Sequence, residues 1–163
     1  MRSVLLLCLV SLITGCSIKQ QVTPVDFAAN PAALISNPAA LICVIPADGV
    51  RESFTEAYGN ALKSKGFTVQ ILPSVMQILP SVSNPQNCPL SSTLLGRWSW
   101  DMAMYLSEVE IKVYQNGREV GSATYNSRRG SFRMDKFISA ENKLKELTDQ
   151  LFPVGVRPLS AQR

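Results

Sequence analysis

The 163-residue chain contains no histidine, and this absence removes several kinds of chemistry. A serine or cysteine nucleophile would have to use a lysine or a carboxylate as its base, because the imidazole that usually serves is missing. No serine stands in a nucleophile-elbow sequence, and the sequence has no glycine-rich phosphate loop. A metal site that needs histidine is excluded as well. The sequence therefore favours a protein that is not an enzyme and that holds no cofactor or metal.

The chain is also poor in charge and in long hydrophobic runs. Charged residues make up 17% of it and apolar residues 46%, which is typical of a compact domain. A net charge of +4 is too mild to predict nucleic-acid binding. The apolar run from Val4 to Ile13 is shorter than the roughly 20 residues that a membrane-spanning helix needs. Because Arg2 precedes this run, we interpret residues 1–15 as a signal peptide.

A cysteine follows the apolar run in the sequence "LITGC", with the small residue Gly15 directly before Cys16. This pattern resembles the bacterial lipobox, in which the cysteine is acylated and becomes the first residue of the mature protein. The resemblance implies a lipid on Cys16, and Ser17 after it implies sorting to the outer membrane. Several acyl chains on one protein hold it firmly to a bilayer. We expect a lipid-anchored protein that faces the periplasm, with surface display left open; a signal peptide with a chance cysteine, or a short buried helix, is the alternative.

Four cysteines are present, and two of them belong to the expected mature domain. Cys8 would leave with the signal peptide and Cys16 would carry the lipid. Cys43 and Cys88 would then lie in the oxidising periplasm, which favours a disulfide between them. Two buried free thiols are the alternative.

Residues 16–40 contain three prolines and no sustained periodicity, which predicts a lipidated N-terminus and a flexible tether. A coil of that length spans roughly 25 to 30 Å. The alternative is that Phe27 and its neighbours pack on the domain. We place the periplasmic domain at residues 41–153 and a C-terminal tail at residues 154–163.

The first part of the domain predicts a strand, a helix and a strand. "LICVIP" (residues 41–46) is a short β-branched run, and "FTVQIL" (residues 67–72) is a second. Between them, apolar residues at helical spacing predict an amphipathic helix that ends at Gly66: Val50, Phe54, Ala57, Tyr58, Ala61 and Leu62. This order predicts parallel neighbouring strands. Residues 73–89 contain four prolines and predict a long loop.

The second part predicts a three-stranded meander and a final helix. Six even positions from residue 94 to 106 are apolar, which predicts a half-buried strand: Leu94, Trp98, Trp100, Met102, Met104 and Leu106. The apolar positions then become odd, so a tight turn or bulge is expected near Ser107. Asn116 and Gly117 predict a hairpin turn. A last stripe predicts a helix before Pro153: Phe137, Ala140, Leu144, Leu147 and Leu151. The fold class is therefore a two-layer α+β sandwich, with both helices on one face of a mixed sheet.

Two seven-residue units each occur twice, as "NPAALISNPAALIC" and "QILPSVMQILPSVS". Two copies of so short a unit cannot build a solenoid. We interpret them as recent duplications in which one copy serves the fold and the other lengthens a tether or loop. A proline-rich partner motif is the alternative.

The segments "RWSWDMAMYLSEVEIKVYQNGREVGSATY" and "KFISAENKLKELTDQLFP", preceded by a lipobox, resemble a small family of proteobacterial lipoproteins with no assigned activity. The order of elements is similar to the N-terminal domain of the Tol-Pal β-propeller protein and to the lipoprotein activators of peptidoglycan synthases. A likeness of fold does not determine function.

Several polar and aromatic residues are candidates for binding. Arg97 and Asp101 alternate with the tryptophans, and a polar loop adds three arginines that suit an acidic partner: Arg128, Arg129 and Arg133. Trp98 and Trp100 suit an aromatic platform, although their parity favours the core. Glu108 and Glu110 share a strand face that permits acid–base chemistry, but a solvated face is favoured. We expect the domain to bind another envelope protein; the alternative is peptidoglycan or lipopolysaccharide bound through the basic loop.

Overall fold

The computed structural model describes residues 18–26, 40–74, 88, 90–128 and 138–156. In these ranges the chain forms six strands and two helices. In chain order they are β1 (Lys19–Thr23), β2 (Leu41–Pro46), α1 (Glu52–Ser64), β3 (Thr68–Ile71), β4 (Leu90–Asp101), β5 (Ala103–Gln115), β6 (Arg118–Asn126) and α2 (Ala140–Leu151). The strands form one sheet in the order β1-β6-β5-β4-β2-β3.

The sheet is mixed, as the sequence predicted. Strand β2 lies between β3 and β4 and runs parallel to both. The other neighbouring strands pair antiparallel. The β-α-β unit and the meander are both confirmed, and the turn between β5 and β6 is at Asn116 and Gly117, which both have positive φ.

Both helices pack on one face of the sheet, which confirms the predicted two-layer α+β sandwich. Tyr58 of α1 shares a hydrogen bond of 2.8 Å with Ser92 of β4, and Leu144 of α2 belongs to the same core cluster as Ala123 of β6. The helices also meet each other, because Lys65 just after α1 forms an ion pair of 2.7 Å with Asp149 of α2. Neither of the two described helices lies on the other face of the sheet.

The two fully buried tyrosines differ in their hydrogen bonding, and this difference gives a testable pair of variants. Burial raises the pKa of Tyr58, and its hydroxyl is paired with Ser92. The hydroxyl of Tyr125 accepts or donates no hydrogen bond to any group that the structure describes. Tyr58→Phe should therefore lower the free energy of unfolding by about 1 to 2 kcal/mol, because it leaves the Ser92 hydroxyl unpaired in the core. Tyr125→Phe should leave stability unchanged or raise it.

Urea unfolding of both variants beside the parent chain measures this difference. Each substitution removes one hydroxyl from an equally buried ring, so the two variants have matched changes in volume. An equal loss in both would show that the hydrogen bond to Ser92 contributes nothing.

Strand β1 corrects the predicted tether, which is wrong for Lys19–Thr23. These residues form the edge strand beside β6, with Lys19 opposite Asn126 and Thr23 opposite Ser122. A strand of five residues with little apolar alternation has no signal of its own in the sequence, because its pairing partner lies far along the chain. The domain therefore begins at β1 and not at residue 41. Residues 27–39, which include Phe27, lie outside the described part.

Contacts with α2 hold β1 in place. The Gln20 amide donates to a carboxylate oxygen of Glu146 over 2.9 Å, and the Lys143 ammonium donates to Glu146 over 2.6 Å. Burial by itself would raise the pKa of Glu146, but the hydrogen bonds from Lys143 and Gln20 and the charge of Lys143 outweigh it, so the pKa is lowered. Beyond β1, the Val25 N–H donates to the Leu151 carbonyl over 2.8 Å. The N-terminal strand thus has a defined position on the domain.

The predicted C-terminal tail also starts inside the domain. Val156 is buried, and its N–H donates to the carbonyl of Lys65 over 2.8 Å. The predicted boundary at residue 153 is therefore too early, because Pro153 ends α2 without ending the packed chain. Residues 157–163 are not described.

Each duplicated unit contributes one copy to a strand, as predicted. Strand β2 starts in the second copy of the first doublet, and β3 ends in the first copy of the second doublet. The other copies, residues 30–36 and 77–83, fall outside the described ranges.

Candidate functional site

The hairpin of β4 and β5 turns at a place that the sequence did not indicate. Asp101 and Ala103 are cross-strand neighbours, and Met102 between them has a φ of 60°. The predicted continuous strand from Leu94 to Leu106 is therefore wrong. A turn at Met102 lacks the glycine, asparagine or proline that usually marks one, so alternation alone could not reveal it.

The irregularity predicted near Ser107 is confirmed as a bulge. Arg97 pairs with Glu108, whereas the next residue, Trp98, pairs with Leu106. Ser107 is thus the extra residue on β5, and its buried hydroxyl donates to the Arg97 carbonyl over 3.1 Å. The bulge explains why the apolar positions change from even to odd along β5.

The hairpin tip, which we define as residues 98–106, carries an exposed apolar surface. Trp100 is 73% exposed, Met102 89% and Met104 56%. The expectation that these side chains belong to the core is wrong. Alternation shows on which side of a strand a residue lies, but not how far along that strand the helices extend.

Trp98 marks the place where the helix layer ends. Its ring meets Phe54 of α1 edge-on, with the centroids 4.9 Å apart. The guanidinium of Arg51, just before α1, lies 4.4 Å from the centroid of the same ring. Trp98 is therefore half-buried, while Trp100, two residues further along the same face, has no helix over it.

At the base of the hairpin tip, two of the predicted binding residues come together. Arg97 and Arg128 both approach one carboxylate oxygen of Glu108, at 3.5 and 3.4 Å. Asp101 lies four residues beyond Arg97 at the end of β4, so the structure does not bring it into this cluster. Arg129 and Arg133 lie outside the described residues.

The sheet surface opposite the helices is polar and is arranged in three cross-strand rows, which we call the open face. The first row contains Thr93, Lys112, Ser122 and Thr23. The second contains Leu95, Glu110, Thr124 and Gln21. The third contains Arg97, Glu108, Asn126 and Lys19. Glu110 and Lys112 form an ion pair of 2.6 Å, and hydrogen bonding to Glu110 raises the pKa of Lys112. Charges of both signs and small hydroxyl groups thus alternate on this surface.

The predicted disulfide between Cys43 and Cys88 is present, with the Cα atoms 5.9 Å apart. Cys43 alternates along β2 with Ile42 and Val44, which belong to the core under the helices. The disulfide therefore lies on the side of the sheet away from the helices and joins β2 to the chain just before β4. Cys16 is outside the described part of the chain.

The described residues contain no group of three histidine, cysteine, aspartate or glutamate side chains that could hold a metal ion. Among the described helices, none combines the length and the hydrophobicity needed to span a membrane. The two carboxylates considered for acid–base chemistry are engaged in ion pairs, Glu108 with arginines and Glu110 with Lys112.

These features define a two-layer α+β sandwich with a projecting, apolar-tipped hairpin. No family model matches the chain, and no curated protein matches it. Among solved structures it is similar to the PelC dodecamer from Paraburkholderia phytofirmans, at 15% identity and a TM-score of 0.51, over 86% of this chain and 99% of that one. A variant of the same PelC matches at 17% identity with a TM-score of 0.49 and the same coverage. At this identity the likeness to the first structure is one of fold alone.

Proposed function

We propose that this protein is a lipid-anchored, non-enzymatic component of the bacterial outer membrane whose α+β domain binds another envelope protein through the open face. The anchor rests on the lipobox-like sequence around Cys16, and the compartment agrees with the disulfide between Cys43 and Cys88. The domain would face the periplasm.

The arrangement of the open face is the observation that carries this proposal. Its three rows present cations such as Lys112 and anions such as Glu110 beside hydroxyl and amide groups. A protein surface can match such a mixed pattern group by group, which gives specificity more than raw affinity. A polyanion would be attracted to the cations but repelled by the carboxylates. The mixed signs therefore favour a protein over lipopolysaccharide or peptidoglycan as the partner.

One observation supports the alternative, a binder of anionic envelope polymers. Arg97 and Arg128 converge on the single carboxylate of Glu108, so positive charge exceeds negative charge at that point. Binding carried by this cluster should weaken steeply as ionic strength rises, because the groups are exposed and screened by salt. Binding by the other two rows of the open face, with paired charges and hydroxyl groups, should be less sensitive to ionic strength.

Photo-crosslinking in living cells separates these functions. A photoreactive residue at Thr124, in the middle of the open face, should form an adduct with one other envelope protein, identified by mass spectrometry. A probe at Glu141 is the matched control, because this residue is exposed on α2 on the opposite side of the domain. Adducts to glycan or lipid alone at Thr124 would favour the alternative, and equal adducts at both positions would contradict a specific face.

Self-association has its own signature in the same experiment. The PelC structure is described as a dodecamer, and a similar assembly of this chain would give adducts between two copies of it. If Thr124 formed adducts only with a second copy of the chain, the partner of the open face would be that second copy and not another envelope protein.

A further inference from the structure

The hairpin tip extends beyond all the other strands that the structure describes. Strand β2 pairs with β4 only as far as Leu94, and β6 pairs with β5 only as far as Glu108. Past the row of Arg97 and Glu108, β4 and β5 continue together for four residues to Asp101. At about 3.3 Å per residue, this two-stranded ribbon projects roughly 13 Å beyond that row.

The exposed apolar side chains of the ribbon are grouped at its far end. Trp100 and Met104 are directly opposite each other across the two strands, and Met102 occupies the apex. Asp101 lies on the other side of β4 from Trp100, because neighbouring residues of a strand face opposite ways. The end of the ribbon therefore presents a continuous apolar cap on one side and at the apex.

The N-terminal chain leaves the domain in the direction of this cap. Lys19 belongs to the third row of the open face, with Asn126, Glu108 and Arg97. The first residue of β1 therefore lies in the row where the ribbon begins. Strand β1 runs away from the tip, and the residues before Lys19 therefore start on the tip side of that row. Strands β1 and β5 are two strand spacings apart, or roughly 10 Å.

Cys16, the expected site of the lipid, is three positions before Lys19. Three residues of fully extended chain reach about 10 Å. Acyl chains on Cys16 would thus hold the row of Lys19 within about 10 Å of the lipid surface, whereas the ribbon projects roughly 13 Å from the same row. A ribbon longer than this connection reaches the lipid when the strands are directed toward the bilayer.

The chemistry of the tip suits such a contact. Tryptophan is enriched at membrane–water interfaces, where its ring is apolar and its N–H remains hydrated. Cationic side chains surround the base of the ribbon and would meet the phosphates of lipid headgroups: Lys19, Arg51, Arg97 and Arg128. The ribbon itself carries one carboxylate, Asp101. Glu108, at its base, is paired with two of these cations.

We propose that the hairpin tip is a second membrane-contact element, which inserts Trp100, Met102 and Met104 into the headgroup region of the bilayer that holds the acyl chains of Cys16. This inference rests on the lipid anchor of the proposed function. Two points of attachment about 10 Å apart orient the domain, with its strands directed toward the bilayer. The open face then stands at the side of the domain and stays accessible to a partner in the periplasm.

The test uses the lipidated protein reconstituted into vesicles of phosphatidylethanolamine and phosphatidylglycerol that contain a brominated phospholipid. The chain has two tryptophans, so Trp98→Phe leaves Trp100 as the single fluorophore and keeps an aromatic ring against Phe54. Bromine in the lipid should quench Trp100 strongly relative to vesicles of the same composition without brominated lipid.

Val154 provides the matched control. It is 73% exposed, like Trp100, but it follows α2 near the contact of Val156 with Lys65, at the end of α1 far from the tip. In a chain with both tryptophans replaced by phenylalanine, the tryptophan introduced by Val154→Trp should be quenched several-fold less by brominated lipid and more by aqueous iodide.

The outcomes separate this inference from the proposed function. Vesicle flotation together with quenching of Trp100 alone supports both. Flotation with equal, weak quenching at both positions overturns the membrane contact and leaves the anchor intact. If the chain does not float with the vesicles and mass spectrometry finds no acyl group on Cys16, the lipid anchor is wrong and this inference is wrong with it.

Discussion

Removal of the disulfide between Cys43 and Cys88 should lower the free energy of unfolding by about 4 kcal/mol, because the bond closes a loop of 45 residues in the unfolded chain. A loss of this size is a large part of the stability of an ordinary domain, which lies between about 5 and 15 kcal/mol. The double variant Cys43→Ala and Cys88→Ala should therefore unfold at a much lower urea concentration.

Unfolding of the parent chain in reductant is the control for the change in side-chain volume. Reduction breaks the cross-link but leaves both sulfur atoms in the domain, where Cys43 and Cys88 are buried. Similar losses in the reduced parent and in the double variant would assign the effect to the cross-link. A loss below about 1 kcal/mol in both would contradict the chain-entropy account.

Gly66→Ala should be nearly as damaging, with a loss of about 3 kcal/mol, because two costs combine. Gly66 has a φ of 92°, a conformation that residues with a Cβ rarely adopt. A Cβ at this position would also meet the carbonyl oxygen of Val156 far inside van der Waals contact. Since the atom in the way belongs to the backbone, the segment after α2 would have to move from its place against Lys65.

Gly49→Ala separates these two costs. Gly49 has a φ of 78°, but a Cβ there would meet nothing within 4 Å. Its loss should be limited to the conformational cost of about 1 to 2 kcal/mol. Thermal and urea unfolding of the two variants side by side measure the difference. Equal losses would show that the contact between Gly66 and the segment at Val156 adds nothing to stability.

The sequence predicted the elements whose signals are local. The six-residue run from Leu41 to Pro46 is the strand β2, and the apolar stripes predicted both helices to within a few residues. The extra residue at Ser107 and the turn at Asn116 also followed from local pattern, since a bulge shifts parity and an Asn-Gly pair favours positive φ.

The candidate site was predicted only in part. Arg97 and Arg128 were both named from the sequence, but their convergence on Glu108 depends on the pairing of β4 with β5 and on where β6 ends. The open face could not be listed from the sequence, because each of its three rows ends in a residue of β1, a strand that has no signal of its own in the sequence. Lipidation of Cys16, the likeness to uncharacterised lipoproteins and the absence of catalysis stay predictions.

The sequence by itself determined the fold class, the disulfide and most helices and strands, because periodicity and turn residues act over a few neighbouring positions. Only the tertiary structure decided that Lys19–Thr23 is an edge strand and that Trp100 is exposed. The partner of β1 lies on β6, far along the chain, and the exposure of Trp100 depends on where α1 begins above the sheet. A side chain on the helix side of a strand is exposed where the helix layer ends, and no local sequence pattern indicates where that boundary lies.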